Sequence, residues 1–138
     1  MQAAILSAKL KKLDEWNALR RAAADRYREA FAGLPIALPV VPENAEHVYH
    51  LYVVRLADRE LLRTELGKEG IGTGLHYPIP LHLQKAYAPL GFKKGQYPNT
   101  ERSTETILSL PMHPTLTFEQ IDQVAAASAR ILGMAEKA

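Results

Sequence analysis

Apolar residues recur at helical spacing over the first thirty positions of the chain. They lie three, four or, once, six residues apart, at Leu6, Leu10, Leu13, Leu19, Ala23, Tyr27 and Ala30. This spacing places the side chains near one face of a helix. Gly33 and Pro35 follow and are typical of a helix end. The pattern therefore predicts one long helix over residues 3–31.

The clearest strand pattern lies in residues 47–56, which read HVYHLYVVRL. Valine and tyrosine are common in strands. Because alternate residues of a strand share a face, one face should carry Val48, His50, Tyr52 and Val54. The prolines that precede this stretch predict an extended edge segment and a turn.

Helix and strand signals alternate over the rest of the chain. The elements expected in order are a helix between Asp58 and Gly70, a short strand in IGTGL, helical turns closed by Gly91, a helix over 99–107 with Asn99 as its cap, a strand in ILSLPMHP, and a last helix from Thr117. Thr117 and Gln120 have the spacing of a capping box. This order predicts an α+β domain with a small, mostly antiparallel sheet covered by helices.

Composition narrows the function classes. The chain has 138 residues, no cysteine, and 17 basic against 15 acidic residues, for a net charge of +2. Disulfides and cysteine chemistry are excluded. The net charge is too small to indicate the strongly basic surface that binds nucleic acid. The N-terminus does not read as a secretory signal, and no stretch reaches the roughly 18 apolar residues of a membrane span. We therefore expect a cytoplasmic protein that binds neither nucleic acid nor membrane.

The loop GLHYPIPLHLQKAY, residues 74–87, gathers most of the candidate chemistry. His76 and His82 flank two prolines, which hold the backbone extended and reduce the entropy lost when neighbouring side chains meet a ligand. The loop is either the wall of a binding pocket or a proline-rich connection whose histidines are incidental. His47 and His50 would point to opposite faces of a strand and could not share a metal ion. These residues form no complete catalytic set, and no catalytic residue is assigned.

Several motifs together resemble one enzyme family over essentially the whole chain. They are QAAIL, KL, LDEWN, HVYHLYVVR, GIGTGLHYPIPLHLQKAY, YPNTE and LSLPMHPTLT. They resemble the C-terminal part of the DegT/DnrJ/EryC1/StrS aminotransferases, which use pyridoxal phosphate and have the aspartate aminotransferase fold, or fold type I. The resemblance implies transfer of an amino group, usually from glutamate, to a keto-sugar nucleotide in a homodimer.

The resemblance also implies which residues meet the substrate. In the family the loop matching HYPIPLH lies beside the active site and lines the nucleotide-sugar pocket. The implied substrate-binding residues are His76, Tyr77, His82, Tyr87 and His50. His76 would form a hydrogen bond to substrate or to groups linked to the cofactor, and would not abstract a proton.

The resemblance places this chain in one part of a larger enzyme. Residues 1–34 would be a long helix linking to a larger N-terminal domain, and residues 35–138 the small C-terminal domain. In the family the larger domain supplies the lysine, aspartate and aromatic ring that hold the cofactor. We therefore expect this chain alone to be inactive and to bind no cofactor covalently, as a truncated gene product, part of a split gene or a domain expressed alone. The alternatives are a stand-alone, non-catalytic module that binds a nucleotide sugar or a protein, and an inert remnant.

Overall fold

The computed structural model describes residues 1–133 and shows a mixed helical and stranded fold. Its helices and strands are α1 Gln2–Leu10, α2 Leu13–Ala30, β1 Tyr52–Arg55, α3 Arg59–Lys68, α4 Pro98–Thr106, β2 Ile107–Leu110 and α5 Phe118–Ile131. Two short 3₁₀ helices, Leu81–Leu83 and Lys85–Leu90, lie between α3 and α4. Gly91 closes the second of them in a left-handed conformation, as predicted from the sequence.

The sheet is small and antiparallel. β1 and β2 pair with Tyr52 opposite Leu110 and Arg55 opposite Ile107. Single bridges extend its two edges, from Ala37 to Arg55 and from Gly74 to Ser109. The predicted α+β class is confirmed, although the strand expected in IGTGL is reduced to the bridge at Gly74.

Apolar side chains from α2, α3, α5 and both strands meet in one core. Its largest fully buried members are Tyr27, Phe31, Leu62, Leu66, Leu108 and Ile121. The Tyr27 ring stacks on the Tyr52 ring with centroids 4.7 Å apart, and its hydroxyl donates to the Pro111 carbonyl at 2.9 Å. Burial raises the pKa of Tyr52 to about 12. Leu108 and Leu110 of β2 also belong to this core, so packing holds β2 in place.

The last helix begins where the sequence predicts. The Gln120 N–H donates to the Thr117 hydroxyl at 3.3 Å, and the Thr117 N–H donates to the Gln120 side chain at 3.0 Å. This reciprocal pair satisfies amide groups that the first helical turn leaves unpaired. The local signal was sufficient because both partners lie within four residues.

The prediction of one helix over 3–31 is wrong in one respect. The structure has two helices, α1 and α2, separated at Lys11 and Lys12. The Lys12 N–H bonds the carbonyl three residues earlier, at Lys9, in a tighter turn. α1 has no buried side chain. Most helical stability comes from packing of an apolar face, so α1 gains little stability from the rest of residues 1–133.

The strand predicted over 47–56 is shorter, and its predicted face is half right: Tyr52 and Val54 share a buried face of β1, whereas Val48 and His50 lie outside the strand. Pairing begins only at Tyr52, because Tyr49 has a positive φ of 46° and its N–H bonds the His47 ring at 2.8 Å. His50 is exposed and lies outside β1. Val48 is exposed as well. A local turn thus replaces the first half of the expected strand.

Two further predictions concern the start of α4 and the division of the chain into two parts. α4 starts at Pro98 with Tyr97 as its cap, so Asn99 lies inside the helix and is not its cap. The division into residues 1–34 and 35–138 stays a prediction. Ala23, Tyr27 and Phe31 nevertheless belong to the same core as the later elements.

Candidate functional site

The imidazole of His76 is held against the edge of the sheet. Its Nδ1 lies 2.9 Å from the hydroxyl of Ser109, a buried residue of β2. Its ring lies over Gly74, where an added Cβ would come within 2.7 Å of the ring carbon Cε1. Residue 76 as a whole is exposed. The structure thus presents an oriented histidine at the surface.

Tyr77 lies beside it and is open to solvent. Its side chain is 69% exposed, and its ring meets the His76 ring edge-on, with centroids 5.6 Å apart. An exposed large aromatic side chain next to an oriented imidazole can provide a flat contact and a hydroxyl to a ligand. The two residues are neighbours on one surface, and their contact with a substrate stays a prediction.

His82 has a different environment, because it is buried and bound to a carboxylate. Its side chain is only 8% exposed, and its Nε2 lies 3.0 Å from Glu101 in α4. The same carboxylate accepts the Gly95 N–H at 2.8 and 2.9 Å and the Tyr97 N–H at 3.3 Å. These contacts favour a structural role for His82 in closing the segment 81–97, so its substrate contact stays a prediction. We call this cluster the Glu101 clasp.

The charge of Glu101 is stabilised by its partners. The Gly95 amide lowers the pKa of the Glu101 carboxyl below its ordinary value of 4.5, and His82 and the Tyr97 amide act in the same direction. Burial opposes them. Hydrogen bonds to a charged acceptor are stronger than neutral ones. The carboxylate therefore fastens two distant parts of the loop while it remains ionised.

An apolar groove of about 300 Å³ opens above the clasp. It is lined by Leu81, His82, Tyr87, Leu90, Phe92, Tyr97 and Thr100. Tyr87, a predicted substrate-binding residue, is 40% exposed there. The structure therefore brings Tyr87 and His82 to one groove.

His50 lies elsewhere. It lines a separate depression with Glu46, His47, Val48, Leu51 and Val53. The structure does not bring His50 into the groove of His82 and Tyr87. Its role as a substrate-binding residue stays a prediction that rests on the family resemblance alone.

A second apolar groove lies at the junction of α1 and α2. It measures about 400 Å³ and is lined by Leu6, Ser7, Lys9, Leu10, Leu13 and Trp16. Leu6 and Leu10 are 66% and 68% exposed. Contiguous exposed apolar surface of this kind marks an interaction site or an aggregation liability.

Three residues of the site were missed by sequence reasoning: Gly74, Glu101 and Ser109. Ser109 carried one usable signal, since it is a lone polar residue within ILSL, and a buried hydroxyl requires a hydrogen-bond partner. Glu101 carried none, because its partner His82 lies 19 positions away. Within residues 1–133, no group of three His, Cys, Asp or Glu side chains could hold a metal ion. None of the described helices is both long enough and apolar enough to cross a membrane.

Comparison with known proteins gives consistent matches. The sequence model of the DegT/DnrJ/EryC1/StrS aminotransferase family matches residues 1–128. The chain is 43% identical over 123 residues to a "pleiotropic regulatory protein" of Geobacillus stearothermophilus, covering 87% of this chain and 33% of that one. It is 43% identical over 128 residues to the dTDP-3-amino-3,4,6-trideoxy-alpha-D-glucose transaminase of Streptomyces venezuelae, covering 92% and 34%.

Solved structures agree with the sequence matches. The crystal structure of S. venezuelae DesV in complex with a ketimine intermediate superposes with a TM-score of 0.90 at 42% identity, covering 94% of this chain and 35% of that one. The chain therefore spans about a third of the length of the relatives that it matches. The fold observed here corresponds to one part of those larger proteins.

Proposed function

Because the chain belongs to the DegT/DnrJ/EryC1/StrS aminotransferase family, we propose that it is the C-terminal part of a nucleotide-sugar aminotransferase. The intact enzyme would move an amino group, from glutamate, to a keto-sugar nucleotide. The family match over residues 1–128 carries this proposal. The named activity of the Streptomyces relative, a dTDP-amino-sugar transaminase, supports the substrate class.

Within that enzyme, the chain would supply a wall of the substrate pocket. His76 and Tyr77 form its exposed polar and aromatic surface. Tyr87 would add an aromatic surface from the neighbouring groove. Sites of this kind combine apolar and aromatic walls with a few placed polar groups that fix orientation. Recognition by His76 would be hydrogen bonding to a substrate oxygen.

The described residues do not fit a covalently held pyridoxal phosphate. Every lysine within residues 1–133 is exposed, and Lys12 and Lys68 are each paired with a glutamate three residues away. A lysine that forms a Schiff base is activated by a desolvated or cationic surrounding, which these exposed side chains lack. We propose that the remaining two thirds of the intact enzyme hold the cofactor, in a cytoplasmic homodimer.

A chimeric enzyme tests this function. The corresponding C-terminal third of the Streptomyces venezuelae transaminase is replaced by this chain, and 2-oxoglutarate formation from glutamate is followed with dTDP- and UDP-linked keto sugars. We expect turnover with at least one sugar. The parent enzyme and its N-terminal two thirds alone are the controls. A chimera that folds and takes up pyridoxal phosphate, yet aminates none of the sugars, would count against the proposal.

A further inference from the structure

The Ser109 hydroxyl has one hydrogen-bond partner among residues 1–133, the His76 ring. The oxygen lies 2.9 Å from Nδ1, and Ser109 is only 4% exposed. Its backbone groups are occupied by Gly74, at 2.8 and 3.0 Å. No buried side-chain nitrogen or oxygen in the described part of the chain lacks a partner. Within these residues, the hydroxyl therefore depends on His76 alone for a hydrogen bond.

The direction of this hydrogen bond follows from what each group can donate. A neutral imidazole carries one N–H, and its other nitrogen accepts. If Nδ1 donated, the buried Ser109 hydroxyl would have no acceptor within residues 1–133, and a buried donor without an acceptor is destabilising. If the hydroxyl donates to Nδ1, both groups are satisfied and the ring proton resides on Nε2.

We infer that Ser109 is a positioning residue that holds His76 as the Nε2–H tautomer and directs this N–H outward as a hydrogen-bond donor. Nε2 has no hydrogen-bond partner among the described residues, and residue 76 is exposed. The ligand group that fits is an oxygen acceptor, such as a hydroxyl, carbonyl or phosphate oxygen. That this oxygen belongs to a nucleotide sugar rests on the function proposed above; the tautomer does not.

Gly74 completes the arrangement. Its backbone pairs with Ser109 in both directions, which fixes the distance between the two residues. A Cβ at position 74 would lie 2.7 Å from Cε1 and 3.3 Å from Nδ1 of His76. Real Cβ atoms essentially never approach another atom as closely as 2.7 Å, so the ring would have to shift. Only glycine therefore lets the ring lie on the sheet edge within reach of the Ser109 hydroxyl.

Histidine-ring NMR of the isotopically labelled full chain tests the inference without any substrate. Spectra are recorded over a pH series and compared at its alkaline end, where the His76 ring signals no longer change with pH. We expect Nδ1 of His76 to resonate as an unprotonated, hydrogen-bonded nitrogen, with a nuclear Overhauser effect between His76 Hε1 and Gly74 Hα. A protonated Nδ1 would overturn the inference, whatever the variants do.

Two variants with matched controls separate positioning from stability. Ser109→Ala should shift Nδ1 to the position of a free acceptor, add the second tautomer and abolish the Overhauser effect. Ser128→Ala removes another buried serine hydroxyl, which donates to the Val124 carbonyl at 2.7 Å, and should leave the His76 signals unchanged. Gly74→Ala should act like Ser109→Ala, whereas Gly72→Ala, with no atom within 4 Å of its added Cβ, should not.

These outcomes distinguish this inference from the proposed function. Unchanged His76 signals in Ser109→Ala would refute the positioning role and leave amino transfer untouched. Conversely, an inactive chimera with the expected tautomer would refute the function and leave the positioning role intact. If Ser109→Ala does not fold, the wild-type Nδ1 signal and Gly74→Ala still decide the matter.

Discussion

Two parts of the N-terminal helical region have similar apolar spacing, but the apolar side chains of one are exposed and those of the other are buried. In the segment 2–19, which we call the N-terminal arm, Leu6, Leu10, Leu13 and Leu19 are 44 to 68% exposed. In residues 20–31, Ala23, Tyr27 and Phe31 are at most 2% exposed. The spacing of apolar residues therefore identifies a helix face suited to burial, but it does not identify the surface that covers this face. We propose that the arm is covered in the intact enzyme by the part of it that this chain does not span.

The largest expected effect compares one substitution in the two environments. Leu66→Ala removes a fully buried side chain of α3 and should cost about 2–5 kcal/mol, because a cavity adds to the lost burial. Leu10→Ala in the arm should change the free energy of unfolding by less than about 0.5 kcal/mol. Urea denaturation of both variants measures this. A cost above about 2 kcal/mol for Leu10→Ala would show that the arm is packed within the chain.

A smaller effect concerns self-association through the arm. The chain carries a net charge of only +2, which gives little repulsion between copies. We expect it to associate through the arm, and Leu6→Gln with Leu10→Gln to weaken association about tenfold, or about 1.4 kcal/mol. Sedimentation velocity measures the dissociation constant. The control replaces two apolar residues that are exposed elsewhere, Val40→Gln with Leu61→Gln.

Two results would contradict this prediction. One is a wild-type chain that stays monomeric at high concentration. The other is equal weakening of association by the control pair. Either result would remove the reason to treat the arm as an unfilled interface, and the stand-alone module would become the better interpretation.

The segment 81–97 can be compared with the N-terminal arm. It also exposes apolar side chains, but the hydrogen bonds of the Glu101 clasp hold it in place. Glu101→Gln removes the charge and should lower stability and speed amide exchange at Gly95 and Tyr97. Glu105→Gln, on the same helix and exposed, is the control. Because the pKa of Glu101 is lower in the folded chain, its contribution is complete above the unfolded value of 4.5 and disappears as pH falls through the folded value.

Thermal unfolding between about pH 6 and pH 3 measures this dependence. The difference in melting temperature between the wild type and Glu101→Gln should be largest at the upper end and shrink below pH 4.5. A difference that is constant over this range, or that grows as the pH falls, would show that the carboxylate charge does not hold the segment.

How far the sequence predicts this molecule depends on the distance between interacting residues. The capping box of Thr117 and Gln120 was predicted because it is local, and the α+β class because it follows from element order. The break at Lys12 was missed because no glycine or proline marks it in the sequence. The turn at Tyr49 was missed because it depends on one side-chain contact from His47.

The site divides in the same way. The sequence GLHYPIPLHLQKAY identified His76 and Tyr77 as candidate binding residues, because they lie in a proline-stiffened loop. Ser109 lies 33 positions from His76 and Glu101 lies 19 positions from His82, so folding alone brings these partners together. The sequence could therefore identify exposed candidate groups but not the side chains that orient them.

The most direct test of the account is the effect of His76→Ala on use of the nucleotide sugar by the chimeric enzyme. Loss of one hydrogen bond costs about 0.5–1.5 kcal/mol when the acceptor is neutral and about 1.5–3 kcal/mol when it is a charged phosphate oxygen, a range of roughly 2- to 150-fold. We predict a fall of that size in kcat/KM for the nucleotide sugar. His113→Ala, which removes another exposed histidine, should leave this value unchanged. An unaltered kcat/KM for the nucleotide sugar in His76→Ala would contradict the claim that this chain supplies the substrate wall through His76.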